Sequence, residues 1–223
     1  SPNTLTDFIK WSASNYPADR YELVLWNHGG GTALGFGYDE MYPDDMLSLS
    51  QIGNALSDSG IKFDIVGFDA CLMGTIETAY MLEPYADYLV ASEEYEPGTG
   101  WYYSEWLKNL SDNTSMPTVE IGKKIVEDYI NGPDSSFFDS NTLSIVDLRE
   151  IPYTYSKLCE TMQQEEGVLD SRYSVISQAR YNAKSFGDGE YEQIDIKSYL
   201  EECGKSDTES VSYTHLRAHE TSL

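Results

Sequence analysis

The 223 residues carry 14 Lys and Arg against 38 Asp and Glu, a formal charge of -24, which argues against nucleic acid or an anionic membrane as partner and favours cationic ligands, basic peptides or metal ions. An acidic surface that only keeps the chain soluble accounts for the same charge. Cys71, Cys159 and Cys203 are too widely spread for a disulfide framework or a CxxC metal site, and no run reaches the roughly 18 apolar residues of a membrane span.

The length suits one domain with a full core, expected over residues 1–210. "SPNTLTDFIKWSASNYPADR" lacks a basic start, an apolar leader and an initiator Met, so the chain is expected to begin inside a longer protein. "TLTDFIKWSASNYP" spaces Leu5, Phe8, Ile9 and Trp11 as a surface helix that stops at Pro17. "YELVLWNH" reads as a buried strand. "MLSLSQIGNALSDSG" predicts a helix capped by Ser48 or Ser50 and closed by Gly60. "IKFDIVGFDAC" is a second buried strand, "LMGTIETAYMLEPY" a helix and "ADYLVASEE" a third strand. "PTVEIGKKIVEDYING" predicts a helix with Pro117 near its start, "TLSIVDL" a fourth strand, and two further helices lie between about 150 and 182.

Strands that are apolar on both faces and alternate with helices predict an α/β fold, a mainly parallel sheet covered on each side. Functional groups gather at the carboxyl ends of such strands, where His28 and Cys71 both sit. From Val211, "VSYTHLRAHETSL" breaks the pattern: it resembles translated adapter read-through and is set apart from the domain, with the true carboxyl end expected to be missing. His215 and His219 are spaced i, i+4, but no HExxH glutamate and no third ligand accompany them, so no metal site is assigned.

In "LVLWNHGGGT" no lysine follows the glycines, which excludes a Walker phosphate loop. Glycines there let backbone N–H groups approach a bound oxygen closely, as an oxyanion hole requires. Cys71 ends a strand and is expected to open a helix whose amino terminus favours a thiolate. Either feature alone is ordinary, since a cysteine after an apolar strand is commonly a small core residue. Paired at the ends of two adjacent parallel strands, they would face each other.

Asp69 lies two residues before Cys71, so the strand period aims both side chains to one face; its other reading is a cap for the following helix. Glu93, Glu94 and Glu96 follow the third strand and either line the same cleft or form a solvated acidic loop. "EPGTGW" is a rigid turn that presents Trp101 as an aromatic wall or buries it as a core residue. Asp39, Glu40, Asp44 and Asp45 put hard oxygens close together, a candidate calcium loop without EF-hand spacing.

"LWNHGGG" and "GFDACLMG" resemble the clostripain family, in the clan of cysteine peptidases that includes caspases, legumains and gingipains. "SEEYEPGTGWYYSEWL", residues 92 to 107, is similar to that family as well. The resemblance is strong from Tyr21 to Leu110 and more diffuse to about Leu200. It implies a caspase-like three-layer αβα sandwich and an extracellular or cell-surface bacterial endopeptidase that cuts proteins or peptides after Arg or Lys without a required cofactor. In that reading Cys71 is the nucleophile, His28 completes the dyad, and the N–H groups of Gly29 and Cys71 hold the oxyanion. Asp69 binds the P1 cation, with Glu93, Glu94 and Trp101 as further lining. Calcium dependence and self-cleavage at Lys108, Lys123, Lys124 or Arg149 belong to the same implication. The rival readings are a catalytically idle family member serving as a binding or surface module, and a thiol-dependent acyl transferase on an unrelated sheet.

Overall fold

The computed structural model describes residues 1–39, 41–42, 45–132, 141–166, 169–187 and 193–205. They fall into two compact units that divide after Ile151. The first unit opens with α1 (Pro2–Asn15), which has proline in its first turn, where no N–H is needed, and ends just ahead of Pro17. Strand β1 (Glu22–Trp26) leads through the single turn α2 (Gly31–Leu34) to α3 (Leu49–Ser59). Ser48 is the cap of α3: its Oγ accepts from Gln51 N at 3.3 Å while Gln51 Oε1 accepts from Ser48 N at 2.9 Å, and Gly60 closes the helix in the left-handed conformation. Strand β2 (Phe63–Asp69), α4 (Ile76–Leu82), β3 (Ala86–Ala91), α5 (Tyr103–Asp112), α6 (Thr118–Asn131) and β4 (Ser144–Asp147) follow. A 3-10 turn (Leu148–Glu150) then leads into α7 (Ile151–Glu166).

The sheet order is β1-β2-β3-β4, with the first three strands parallel and β4 antiparallel to β3. Two helices, α5 and α6, lie between β3 and β4, and the chain re-enters the sheet at the end where β3 leaves it, Ser144 beside Ala91. Strand periodicity sorts the side chains into two layers. Leu23, Leu25, Val66, Phe68, Leu89 and Ala91 share a core with Ile9, Ile52, Leu56, Ala79 and Leu82 of α1, α3 and α4. On the other face Val24, Ile65, Tyr88, Val90 and Ile145 pack with Trp106 of α5 and Ile121, Ile125 and Tyr129 of α6. Helices thus cover both faces of a mainly parallel sheet, the caspase-like αβα sandwich. Burying a Leu, Ile or Phe side chain stabilises by about 1.5–3 kcal/mol, so both layers are needed to hold the four strands.

The second unit contains the rest of α7, then α8 (Leu169–Asn182), the paired strands β5 (Ser185–Phe186) and β6 (Gln193–Ile194), and α9 (Ile196–Lys205). Asp195 caps α9 by accepting from Ser198 N at 2.6 Å. Helices α7 and α8 match the two expected before residue 182, whereas β5, β6 and α9 had no counterpart in the sequence reading. The tail from Val211, with His215 and His219, lies outside the described residues. No helix among the described residues is long and apolar enough to cross a membrane.

Candidate active site

The β1–β2 register ends with Trp26 opposite Asp69, and His28 and Cys71 each follow two residues beyond that last pair. Asn27 N donates to Asp69 O at 3.4 Å, extending the ladder past the last paired residue. Gly29 packs against the Cys71 carbonyl so closely that any Cβ would collide with that oxygen. A side chain at 29 would therefore push the two strand ends apart. His28 is exposed. Its backbone is pinned by its N–H to Asn27 Oδ1 at 2.6 Å and by Gly37 N to its carbonyl at 2.9 Å, and its ring meets Tyr38 edge-on with centroids 5.9 Å apart. Among the described residues no hydrogen bond joins the imidazole to the thiol.

Cys71 does not open a helix. Helix α4 starts five residues later, capped by Thr75, whose Oγ1 accepts from Thr78 N at 3.1 Å. Between them Leu72 takes a left-handed backbone with φ 65, a conformation that costs a branched residue about 1–3 kcal/mol. What holds it is pairing with the segment after β3: Leu72 N donates to Glu94 O at 3.1 Å and Gly74 N to Ser92 O at 2.7 Å. The helix-dipole argument for a thiolate is therefore corrected. Cys71 Sγ instead accepts from Glu96 N at 3.2 Å and lies 3.8 Å from Glu96 O, toward which its S–H is directed. Burial pushes the thiol above its ordinary range, against the Glu96 N–H that favours the thiolate, and the nearby Glu96 and Glu94 carboxyls push it further up. Cys71 rests as a thiol.

Below it lies an acidic floor. Asp69 is 2% exposed, and its Oδ2 accepts from Trp101 N at 3.0 Å and from the Tyr103 hydroxyl at 2.7 Å. Its alternative role as a helix cap is excluded, because Thr75 caps α4. Gly100, at φ +69, lets the turn lie directly on the carboxylate, where a Cβ would come within 2.7 Å of Oδ2. Glu96 lies beside Asp69 and is pushed up to about 10, first by burial and then by the Asp69 carboxyl, while its Oε2 accepts from Trp101 Nε1 at 3.1 Å. Burial, with the same two carboxyls adding to it, pushes the Tyr103 and Tyr129 hydroxyls well above the usual tyrosine range.

The structure sets Gly29 against the Cys71 carbonyl and ties Cys71 to Glu96, which lies beside Asp69, while the ring neighbour it gives His28 is Tyr38. It puts Trp101 elsewhere than an exposed wall: the residue is 3% exposed, its indole covers Gly67 and stacks on Tyr103 at 6.3 Å. Glu93 turns to β4, accepting from Ser144 Oγ at 3.0 Å. Glu94 Oε1 accepts from Tyr95 N at 2.9 Å. Of the three glutamates after β3, Glu96 is the one whose carboxyl lies beside Asp69. Tyr103 and Tyr129 escaped the sequence reading; the only signal for Tyr103 was its place two residues beyond the turn that holds Asp69.

In the candidate calcium loop, Asp39 Oδ1 accepts from Met41 N at 2.8 Å, and Glu40 and Asp44 lie outside the described residues. Among the described residues no group of three or more His, Cys, Asp or Glu side chains is placed to hold a metal. Lys108, Lys123, Lys124 and Arg149 all lie in helices or a helical turn and pair with Asp112, Glu120, Glu127 and Asp147 respectively. Exposed loop tips are the preferred places for cutting, and none of the four is on one.

Residues 1–220 match the clostripain family, peptidase C11. Clostripain from Hathewaya histolytica is 36% identical over 122 residues, covering 47% of this chain and 23% of that protein. A secreted C11 cysteine protease from Bacteroides thetaiotaomicron, solved with an irreversible peptide inhibitor, has a TM-score of 0.59 at 26% identity, over 70% of this chain and 47% of that one. An inactive zymogen C11 protease from Parabacteroides distasonis gives 0.56 at 26% identity, over 70% and 42%. The chain spans less than half the length of each of these relatives. With that match running almost end to end over a mainly parallel sheet covered by helices on both faces, the chain belongs to the clostripain family of cysteine peptidases.

Proposed function

We propose that this chain carries the catalytic centre of a secreted cysteine endopeptidase that cleaves after Arg or Lys. The observation that supports it most is the end of the β1–β2 register at Trp26 and Asp69, two residues before His28 and Cys71, with Gly29 packed on the Cys71 carbonyl and the Asp69 carboxylate buried. Cys71 loses its proton and attacks the scissile carbonyl, giving a thioacyl-enzyme. His28 protonates the leaving amine and then activates the water that releases the acyl product. The N–H groups of Gly29 and Cys71 hold the developing oxyanion. Because Cys71 rests as a thiol, ionisation belongs to the substrate-bound state, where the imidazole opposite it takes the proton. A guanidinium suits Asp69 better than an ammonium does, since its planar fork can bind a carboxylate through two hydrogen bonds. Work outside the cell fits the B. thetaiotaomicron relative, described as secreted. Calcium at the Asp39 to Asp45 loop is a subsidiary proposal.

The test is hydrolysis of fluorogenic peptides ending in Arg, Lys, Asp or Leu, with calcium and with chelator. Only the Arg and Lys peptides are cleaved, and Cys71→Ala lowers the rate by about 10⁴-fold or more. A folded protein that cleaves none, and that an arginyl chloromethylketone fails to label at Cys71, is the idle binding module instead. Equal rates with calcium and with chelator would remove the calcium proposal.

A further inference from the structure

Two buried carboxyls in contact cannot both stay ionised without a cation between them. At the floor of this site Asp69 already receives Trp101 N–H and the Tyr103 hydroxyl on Oδ2, whereas Glu96 receives only the Trp101 indole N–H on Oε2. The other oxygen, Glu96 Oε1, is fully buried and has no hydrogen-bond partner among the described residues. A buried acceptor left in that state is costly unless it carries a proton of its own. Tyr129 Oη, contributed by α6, is likewise buried without a hydrogen-bond partner and lies close enough to feel the charges of Glu96, Asp69 and Cys71. No cationic side chain is among the groups that act on Glu96. The arrangement is complete except for a positive charge and a hydrogen-bond donor.

We propose that Asp69 and Glu96 form one acid pair that holds a single proton while empty and gives it up when a guanidinium side chain arrives, making Glu96 a second specificity-determining residue. The proposal rests on the basic-P1 reading above. Its balance is simple: the pair with one proton carries one negative charge, the incoming cation one positive charge, and the product is a doubly ionised pair around the cation plus one proton released to solvent. The titratable groups facing Glu96 are Asp69 and Cys71 at the end of β2, Tyr103 from α5 and Tyr129 from α6. Backbone geometry gives the pair a second consequence. The same residue whose carboxyl meets Asp69 holds Cys71 Sγ through its N–H and C=O, so filling the floor and positioning the nucleophile are joined in one residue.

The experiment uses the whole chain and n-butylguanidine, a side-chain mimic that stays charged across the range and cannot be hydrolysed. Binding is measured calorimetrically between pH 6 and 8 in buffers of different protonation enthalpy. For one proton released per ligand, affinity rises about tenfold per pH unit, and the heats report the same count. In Glu96→Gln the amide donates the hydrogen bond that the protonated carboxyl donated, so the fold is kept while the releasable proton is gone, and the extra slope and proton count vanish. The infrared band of a protonated carboxyl, present near pH 7 in the unliganded protein and absent in Glu96→Gln, reads the shared proton without ligand or turnover. Equal slopes in both proteins, or no protonated carboxyl near pH 7, overturn the pair. An infrared band that responds to Glu96→Gln, together with no binding of butylguanidine, overturns the basic-P1 reading and Glu96's role in specificity while leaving the shared proton standing.

Discussion

The two faces of the sheet are built on opposite principles. Toward α1, α3 and α4 the core is apolar, and the buried polar side chains of those helices, Thr6, Ser59 and Thr78, are all hydrogen-bonded, to Ala55 O at 3.1 Å, Leu56 O at 2.6 Å and Thr75 Oγ1 at 2.9 Å. Toward α5 and α6 the same sheet carries two adjacent buried carboxyls, and four buried atoms, Glu96 Oε1, Trp106 Nε1, Asp128 Oδ2 and Tyr129 Oη, have no hydrogen-bond partner among the described residues. Unpaired buried groups each cost about 1–3 kcal/mol. Both faces bury an apolar layer, and the second also holds polar groups that cost stability.

Truncation of the apolar side tests the division most strongly. Leu56 is fully buried in α3 against that layer, so Leu56→Ala destabilises by about 2–5 kcal/mol in denaturant unfolding, with kcat/KM on an Arg peptide unchanged in the folded fraction. A fall in kcat/KM matching the stability loss would mean the two faces are not separable. On the acidic side the converse holds. Asp69→Asn keeps the size and the acceptor for Trp101 N–H and Tyr103 but removes the charge, and kcat/KM on Arg peptides falls about a hundredfold or more, the scale of a lost charge-assisted pair, while unfolding stability stays level or rises. If stability drops instead, Asp69 is a structural anchor.

Titration sharpens the same contrast. Glu96 is pushed up to about 10 by burial and then by Asp69, and Glu22 to about 6 mainly by burial. Both folded groups bind protons that the unfolded chain has released, so their contribution to stability is full below the ordinary glutamate range and declines as pH rises. The Glu22 share is lost by about pH 6, and the Glu96 share continues to fall toward about pH 10, with a slope of at most about 1.4 kcal/mol per pH unit. Unfolding midpoints measured from pH 5 to 9 decline in the native protein and flatten above pH 6 in Glu96→Gln; parallel profiles would place the proton elsewhere.

Local signals made much of this legible and non-local ones hid the rest. Ser48, one of the two caps offered, and Gly60 mark α3 because caps act within four residues of the chain, and the apolar runs in "ELVLW" and "FDIVGFD" mark two buried strands with the histidine and cysteine just beyond them. The helix expected at Cys71 failed because Leu72 and Gly74 hydrogen-bond to Glu94 and Ser92, twenty residues away, and no helical spacing in "CLMGTIETAY" reports that. Trp101 stayed open between a wall and a core residue because its burial depends on Gly67, whose missing side chain on β2 makes room for the indole. The antiparallel β4 follows α5 and α6, and the aromatic run "WYYSEWL" of α5 was assigned no element from the sequence.

The smallest effect is the most discriminating, because it asks whether the orphaned groups on the acidic side are defects or vacancies. Tyr129 packs its ring with Ile121, Ile125 and Trp106, and phenylalanine would keep that packing while removing only the hydroxyl. As a defect, Tyr129→Phe stabilises by about 1 kcal/mol, the scale of relieving one unsatisfied polar atom, and leaves kcat/KM alone. As a vacancy that meets substrate, it stabilises equally and raises KM for the Arg peptide without a matching change for a Leu peptide. Stability therefore rises in either case, and the KM difference between the two peptides separates them; a loss of stability would show that the hydroxyl is paired after all and that the two faces of the sheet are alike.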